Sequence, residues 1–433
     1  MSYYNQKAEC MPREEKKQLQ SARLRDVVKR VYDNVPTYRA KMDAIGVTPD
    51  DIHSIDDINK LPFTTKQDLR NNYPYGMFAA PMEDIVRVHA SSGTTGKLTV
   101  VGYTKNDLDM WAECCARALV SAGAKKSSVV QVCYGYGLFT GGLGLHYGSE
   151  LLGAVTVPAS SGNTSRQLQM MEDFGTEVLC CTPSYAIYLA EALKASDIDL
   201  SKLNLKYGIF GAEPWTNEMR REIEQSLNIK AYDIYGLSEI AGPGVAIECE
   251  YQNGAHVQDD FFYPEVIDKD TLEPLPYGEV GELVITTLTK EGIPLIRYRT
   301  RDITALTDEP CPCGRTGVRI KRISGRDDDM LIIRGVNVFP SQIESALVKS
   351  GLVEPYYHIT VDRVNNLDVM TIEVELKKDL KIDEIKEVER IKKTVSSMVA
   401  SAIGLTANIK LVSSGSLKRS DGKAVHVTDN RVI

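Results

Sequence analysis

The segment ASSGTTGKLTV, residues 90–100, concentrates phosphate-binding residue types in one short stretch. It holds two glycines, a run of serine and threonine hydroxyls, and one lysine. Glycines let the backbone aim its N–H groups at an anion, and hydroxyls add further donors. The segment predicts a phosphate-binding loop, and an ordinary hairpin turn is the alternative that these residues alone leave open. A Walker A loop is excluded, because two residues separate Gly93 from Gly96 and Leu98 follows Lys97.

Four later segments place charged side chains beside glycines or at the ends of predicted strands. They are YDIYGLSEIAG with Glu239, RYRTRD ending at Asp302, SGRDDDMLIIRGVNVFPSQIE starting at Ser324, and SDGKAVHV with Lys423. A carboxylate on a turn can hold a cation, and a lysine can meet a phosphate. Taken singly, each segment is a weak signal, because a glutamate on a turn or a Gly-Lys near a terminus is usually part of a solvated surface.

A second kind of chemistry is indicated by three cysteines and one histidine in two segments. ECEYQNGAH contains Cys249 and His256, and EPCPCGRTG contains Cys311 and Cys313. A Cys-x-Cys beside proline and glycine can aim two thiolates at one ion. Three thiolates and an imidazole would fill a tetrahedral shell, which predicts a structural Zn²⁺ site. Free thiols in surface loops are the alternative.

The elements that must position these groups alternate between strand and helix. Apolar β-type runs are separated by helical patterns, which predicts an α/β fold with parallel strands flanked by helices. Ligands of such sheets collect at the carboxyl ends of the strands. The strand segments are SVVQVCYGYG, LLGAVTVPAS, GTEVLCCTPS, LKYGIFGAEP and IKAYDIYGLSE.

The rest of the sequence divides into three regions with different secondary-structure patterns. Residues 11–60 have helical spacing, and the segments after about residue 259 are typical of antiparallel strands. The end of the chain predicts a small α+β domain, with a helix in PSQIESALVKS that starts at a proline. We therefore expect a large N-terminal domain over 1–327, with a β subdomain and the zinc site at about 245–320, and a mobile C-terminal domain over 328–433.

Composition narrows the class of protein. The 433 residues are 43% hydrophobic and 25% charged, with a net charge of −8, which is unlike the basic footprint of a nucleic-acid binder. No apolar stretch is long enough for a membrane span, and the first residues lack the apolar core of a signal peptide. We expect a cytoplasmic protein in which most of the nine cysteines are free thiols.

Together and in this order, the five motifs resemble the adenylate-forming superfamily, which includes acyl-CoA synthetases, aryl-CoA ligases and peptide-synthetase adenylation domains. Similarity to the phenylacetate–CoA ligase branch is carried by YGYGLFTGGLGLHYGSE, GAEPW, IPLIRYRTRD and MLIIRGVNVFPSQIE. The resemblance implies an ATP-dependent aryl acid–CoA ligase with Mg²⁺, ATP, coenzyme A and an aryl carboxylic acid as cofactor and partners. An adenylate-forming enzyme that loads a carrier protein and a nucleotide-binding module without turnover are the alternatives.

The resemblance also implies residue roles. The loop 91–97 would wrap the β- and γ-phosphates, Glu239 would hold Mg²⁺, Tyr235 would stack on adenine, and Asp302 would accept hydrogen bonds from the ribose hydroxyls. The implied nucleotide-binding residues are Ser91, Ser92, Gly93, Thr94, Thr95, Gly96, Lys97, Gly211, Ala212, Glu213, Pro214, Asp233, Tyr235, Gly236, Leu237, Ser238, Asp302 and Arg326.

For catalysis, the resemblance implies Lys423 and Glu239. Asp328 would be the hinge about which the C-terminal domain swings between the two half-reactions, with a plain solvated linker as the alternative. Gly335 would let the pantetheine arm of coenzyme A pass close to the backbone. Relatives are often dimers, so a homodimer is expected, with no interface indicated.

The acid pocket is expected at the end of the YGYGLFTGG strand, because its aromatic residues and glycines give flat apolar walls with gaps. Its candidate residues are Tyr134, Tyr136, Phe139, Gly141, Gly142, His146 and Ala212. The alternative is that these aromatics pack in the core. The residues do not separate phenylacetate from indoleacetate, benzoate or a short fatty acid.

Overall fold

The computed structural model describes residues 2–91, 98–326, 331–334, 336–364, 367–378, 385–419 and 425–431. The chain forms two compact units. The first comprises Met1–Cys181, Ile198–Ala212 and Lys230–Ile323, and the second comprises Thr182–Asp197, Glu213–Ile229 and Ser324–Ile433. The two-domain division at residue 327 stays a prediction.

Within the described residues, the first unit is built around a mixed sheet of nine strands. Its parallel part has the spatial order Val155–Val157, Val129–Val132, Val178–Cys181, Tyr207–Gly211 and Lys230–Leu237. These are the five strands that the alternating pattern predicts. Their carboxyl ends lie at one edge of the sheet, which brings distant motifs to the same side of the unit.

Antiparallel strands continue this sheet beyond Lys230–Leu237. They are, in spatial order, Gly242–Glu248, Ala255–Val257, Arg319–Ile320 and Leu306–Thr307. A separate antiparallel sheet holds Phe262–Ile267, Gly281–Thr287 and Tyr298–Thr304. Arg87–Ser91 and Thr99–Tyr103 form an antiparallel pair of their own.

Helices lie between many of these strands along the chain. In the first unit they are Gln6–Glu9, Arg13–Asn34, Pro36–Ala44, Lys66–Asn71, Lys105–Ser121, Gly141–Leu152 and Thr164–Asp173, with 3₁₀ turns at Pro49–Asp51, Ile55–Lys60, Met82–Asp84 and Leu200–Lys202. Lys105–Ser121 begins at a capping box, in which the Asp107 N–H donates to the Thr104 hydroxyl and the Asp107 carboxylate accepts from the Thr104 N–H. None of the helices in the described ranges combines the length and apolar character that a membrane span requires.

The second unit has its own apolar core. Its helices are Pro183–Lys194, Asn217–Leu227, Pro340–Ser350 and Ile385–Ile403. Asn408–Val412, Leu367–Leu376, Val353–Val364 and Val427–Asp429 form a sheet in that order, and the short strands are Gly325–Arg326, Leu331–Ile333 and Val336–Val338. The helix predicted to start at Pro340 is confirmed. Proline suits the first turn of a helix, because it has no backbone N–H that would remain unpaired there.

Candidate active site

Glu239 lies in the turn that follows the last parallel strand, Lys230–Leu237. Its side chain is buried at 5% exposure. The Ser91 hydroxyl donates to Glu239 Oε1 at 3.0 Å, and the Lys66 ammonium lies 3.4 Å from the same oxygen. A carboxylate held at the carboxyl edge of a parallel sheet is a suitable oxygen ligand for Mg²⁺.

The ends of the predicted phosphate loop are close to this carboxylate. Ser91 is the last residue of its strand and pairs with Thr99 across the antiparallel ladder. The two strands that flank the loop therefore pair directly with each other. The loop residues between them, Ser92, Gly93, Thr94, Thr95, Gly96 and Lys97, lie outside the described residues.

Tyr235 and Asp302 are brought together from two different sheets. The Tyr235 hydroxyl donates to Asp302 Oδ2 at 2.6 Å. Asp302 is 5% exposed, and its own N–H donates to the Thr300 hydroxyl. The residues predicted to contact adenine and ribose thus lie within one hydrogen bond of each other.

Close backbone approaches explain the glycines at the carboxyl edge. A Cβ on Gly211 would lie 2.2 Å from the Ile234 carbonyl oxygen, and a Cβ on Gly236 would lie 1.8 Å from the Gly242 carbonyl oxygen. Either substitution would push neighbouring strands apart. Ala212 follows with a φ of +71°, a left-handed backbone conformation that an alanine seldom adopts.

The remaining predicted residues of this edge are held by short contacts. The Asp233 N–H donates to the buried Glu248 carboxylate at 2.9 Å. Leu237 ends the strand, and the Ser238 hydroxyl lies 3.1 Å from the Thr140 hydroxyl. The turn that carries Glu239 is therefore held at Ser238.

Three predicted nucleotide-binding residues belong to the second unit. The Glu213 carboxylate accepts from the N–H and the hydroxyl of Ser184, while Pro214 is exposed. Arg326 ends the short strand Gly325–Arg326. The hinge, coenzyme A and catalytic predictions at Asp328, Gly335 and Lys423 fall outside the described residues.

Part of the predicted acid pocket assembles where the helix Gly141–Leu152 begins. The Tyr136 hydroxyl lies 3.3 Å from His146 Nδ1, and His146 Nε2 lies 3.1 Å from Glu150 Oε1. The Phe139 ring covers Gly141, where a Cβ would lie 2.5 Å from a ring carbon. Phe139 keeps 43% of its surface exposed, so an aromatic wall is available to a ligand.

Tyr134 and Gly142 have packing roles. Tyr134 is 4% exposed, and its hydroxyl donates to the Cys181 carbonyl oxygen at 2.5 Å. A Cβ on Gly142 would lie 2.8 Å from the Gly135 carbonyl oxygen. The core-packing alternative therefore describes Tyr134, and Gly142 lets the helix approach the preceding loop.

The four predicted zinc ligands form one buried cluster at the antiparallel end of the large sheet. The ligand atoms of Cys249, His256, Cys311 and Cys313 all lie within 4.8 Å of one another. Cys249 Sγ is 3.7 Å from Cys311 Sγ, and Cys313 Sγ is 3.4 Å from His256 Nε2. Zn–S bonds of about 2.3 Å at tetrahedral angles would put two sulfurs about 3.8 Å apart. The predicted clustering is confirmed, and its dimensions fit Zn²⁺.

Residues near the amino terminus form hydrogen bonds with the loop that carries Cys311 and Cys313. The Tyr3 hydroxyl donates to the Cys313 carbonyl oxygen at 2.7 Å. Arg315 Nε donates to Glu9 Oε2 at 2.8 Å. A metal in the cluster would thus stabilise contacts with the first residues of the chain as well as the sheet.

Two lysines that sequence reasoning missed contact Glu239. Lys66 reaches its carboxylate, and Lys290 donates to its main-chain carbonyl. Lys290 is 1% exposed, whereas lysines are expected at the surface. No feature of TTKQDLR or LTKEG signals these contacts.

Residues 12–289 match the family model of the AMP-binding enzymes, and residues 335–431 match that of the AMP-binding enzyme C-terminal domain. The chain belongs to the AMP-binding enzyme family, which confirms the resemblance to adenylate-forming enzymes.

Its curated relatives include phenylacetate-coenzyme A ligases. Those of Pseudomonas putida and Escherichia coli K12 are each 51% identical over 417 residues, covering 96% of this chain and 94% and 95% of theirs. A crystal structure of 2-hydroxyisobutyryl-CoA ligase in complex with 2-HIB-AMP is 29% identical and covers 98% of this chain and 92% of its own, with a TM-score of 0.92. The predicted fold class is confirmed.

Proposed function

We propose that this protein is an AMP-forming ligase that joins an aryl carboxylic acid, with phenylacetate as its substrate, to coenzyme A. The observation that carries the proposal is the 51% identity to a phenylacetate-coenzyme A ligase over 96% of this chain. The contacts of Ser91 with Glu239 and of Tyr235 with Asp302 support it, since a nucleotide-activating enzyme needs carboxylates at the metal and ribose positions.

In the first half-reaction, a carboxylate oxygen of the acid attacks the α-phosphorus of ATP, and the bond to pyrophosphate breaks. Both reactants are anionic, so cations and oriented donors must gather where negative charge develops. The loop 91–97 would hold the β- and γ-phosphates, and Lys423 would meet both the acid and the α-phosphate. Glu239 would bind Mg²⁺, which neutralises phosphate charge; a single buried carboxylate fits an ion that takes its other ligands from phosphate and water.

In the second half-reaction, the thiolate of coenzyme A attacks the acyl carbon, and AMP leaves. We propose that residues 328–433 move about Asp328 between the two half-reactions, and that Gly335 borders the pantetheine arm. The reaction consumes ATP and coenzyme A, which supports the cytoplasm as the compartment.

The Tyr235–Asp302 pair gives a direct test of the ribose assignment. We expect Asp302→Asn to raise the KM for ATP about 10- to 100-fold, because a charged acceptor is worth about 1.5–3 kcal/mol per hydrogen bond. Tyr235→Phe, which removes one donor to that carboxylate, should raise the same KM by a smaller factor.

Tyr32→Phe is the matched control, since the Tyr32 hydroxyl donates to Asp43 at 2.7 Å at an exposed position. Its KM for ATP should equal that of the wild type. Unchanged KM values for ATP in both site variants would refute the ribose role of Asp302.

Pyrophosphate exchange with a panel of acids tests the function as a whole. We expect phenylacetate to give the highest kcat/KM, above indoleacetate, benzoate and a short fatty acid, and to give a thioester with free coenzyme A. Exchange with phenylacetate but transfer only to a carrier protein would contradict the ligase assignment. Absence of exchange with every acid would contradict enzymatic activation.

We also propose a structural Zn²⁺ at Cys249, His256, Cys311 and Cys313. The hydrogen bond from Cys249 and the neighbouring His256 ring hold the pKa of Cys313 well below its usual range, which favours the thiolate that zinc binds. Four protein ligands leave no open position for a substrate, so the metal would stabilise the fold rather than take part in the reaction.

A further inference from the structure

Lys290 is a buried lysine that contacts the main chain of the turn carrying Glu239. Its ammonium donates to the main-chain carbonyl oxygens of Glu239, at 3.1 Å, and Ile240, at 2.7 Å. It also lies 4.7 Å from the centre of the Tyr103 ring. Two carbonyls and an aromatic face thus receive the three donors of the ammonium.

The backbone that directly follows Lys290 is held in place by Asp107. The Asp107 carboxylate accepts from the N–H groups of Glu291, at 2.7 Å, and Gly292, at 2.8 Å. A Cβ on Gly292 would lie 2.5 Å from the Gly102 carbonyl oxygen, so the segment is pressed against the neighbouring strand. The capped start of Lys105–Ser121 therefore anchors Lys290.

Burying a lysine costs free energy unless its donors are satisfied. The carbonyls that satisfy Lys290 belong to the turn whose carboxylate faces Ser91 and Lys66. The Tyr103 hydroxyl donates to the carbonyl oxygen of Ser238 in the same turn, at 3.3 Å. Tyr103 and Lys290 thus donate hydrogen bonds to three consecutive carbonyl oxygens, those of residues 238–240.

We propose that Lys290 is a positioning residue for adenylation: by fixing the Glu239 and Ile240 carbonyls, it sets the orientation in which the Glu239 carboxylate receives Mg²⁺. The inference rests on the proposed metal role of Glu239. A residue that positions a metal ligand typically changes metal affinity or activity about 10- to 100-fold when it is lost.

The test compares Lys290→Met with the wild type. Methionine keeps an apolar stem against Tyr103 and removes the donors. We expect the Mg²⁺ concentration for half-maximal ATP binding, measured by equilibrium titration without the acid, to rise about 10- to 100-fold, and the Mg²⁺ concentration for half-maximal pyrophosphate exchange to rise with it. Thioester formation from supplied phenylacetyl-adenylate should keep its wild-type rate, because that step does not use the triphosphate.

Lys16→Met is the matched control, since Lys16 is a buried lysine of the same unit whose ammonium lies 2.8 Å from Asp259. It should lower stability without changing the Mg²⁺ requirement of the folded protein. Should Lys290→Met fail to fold, Lys290→Gln carries the test, because its uncharged amide can donate to these carbonyls but lacks the ammonium that now binds both of them. Its Mg²⁺ requirement should rise by roughly fivefold, the equivalent of about 1 kcal/mol.

Glu239→Gln, measured in the same assay, separates two kinds of failure. If it leaves the Mg²⁺ requirement unchanged, the metal role of Glu239 is wrong and the role of Lys290 falls with it. If Glu239→Gln raises the requirement while folded Lys290→Met, or Lys290→Gln in its place, does not, only the positioning role is overturned. An equal loss of both half-reactions in Lys290→Met would likewise overturn it.

Discussion

Replacement of Lys423 by alanine is expected to slow acyl-adenylate formation by about 10²–10³-fold, the usual effect of losing one preorganised donor to a developing charge. Lysine presents a compact charge that can meet the acid carboxylate and the α-phosphate together. Thioester formation from supplied phenylacetyl-adenylate should be preserved, since the phosphoryl charge has already been dispersed. Single-turnover measurements of each half-reaction give the two rates separately.

Lys418→Ala is the control for this prediction, because Lys418 is an exposed lysine of the same carboxyl-terminal segment. It should behave as the wild type in both half-reactions. Equal losses in the two half-reactions of Lys423→Ala would rule out a role specific to adenylation.

Replacement of Cys313 by serine is expected to remove the bound zinc and to lower the free energy of unfolding substantially. A structural zinc site can contribute about 10 kcal/mol or more to folding. Metal analysis should find about one equivalent of zinc in the wild type, purified without added metal, and much less in the variant. Urea unfolding and limited proteolysis of residues 2–16 should both show the loss, because Tyr3 donates to the Cys313 carbonyl.

Cys180→Ser is the matched control, as Cys180 is a fully buried free thiol in a parallel strand away from the cluster. It should retain zinc. Wild-type protein that contains no zinc, with all four ligand side chains open to chemical modification, would refute the metal site.

The sequence was most informative where local pattern and chemistry coincide. Valine-rich runs such as Val129–Val132 between helical segments predicted the parallel strands, and Pro340 marked the first residue of its helix. The Cys/His cluster could be predicted because cysteine and histidine side chains in two short segments limit the chemistry to few choices. The resemblance supplied the proposed roles of Glu239, Tyr235 and Asp302.

Contacts between distant segments could not be predicted in this way. Tyr235 and Asp302 are 67 residues apart, and their hydrogen bond depends on how two sheets pack. Lysine is a residue type expected at the surface, and only the fold shows that Lys290 is buried. Tyr134 was a candidate pocket residue, and in the structure it packs in the core. An aromatic residue in a glycine-rich segment suits a pocket wall and the core equally, so the sequence did not decide between them.

The placement of the nucleotide is tested most directly by a crystal structure with a non-hydrolysable phenylacetyl-adenylate analogue. We expect the adenine against the Tyr235 ring, the ribose hydroxyls on the Asp302 carboxylate, and the phenyl group beside Tyr136 and Phe139. An adenylate bound away from Asp302, or a phenyl group away from the start of the helix Gly141–Leu152, would contradict the proposed site.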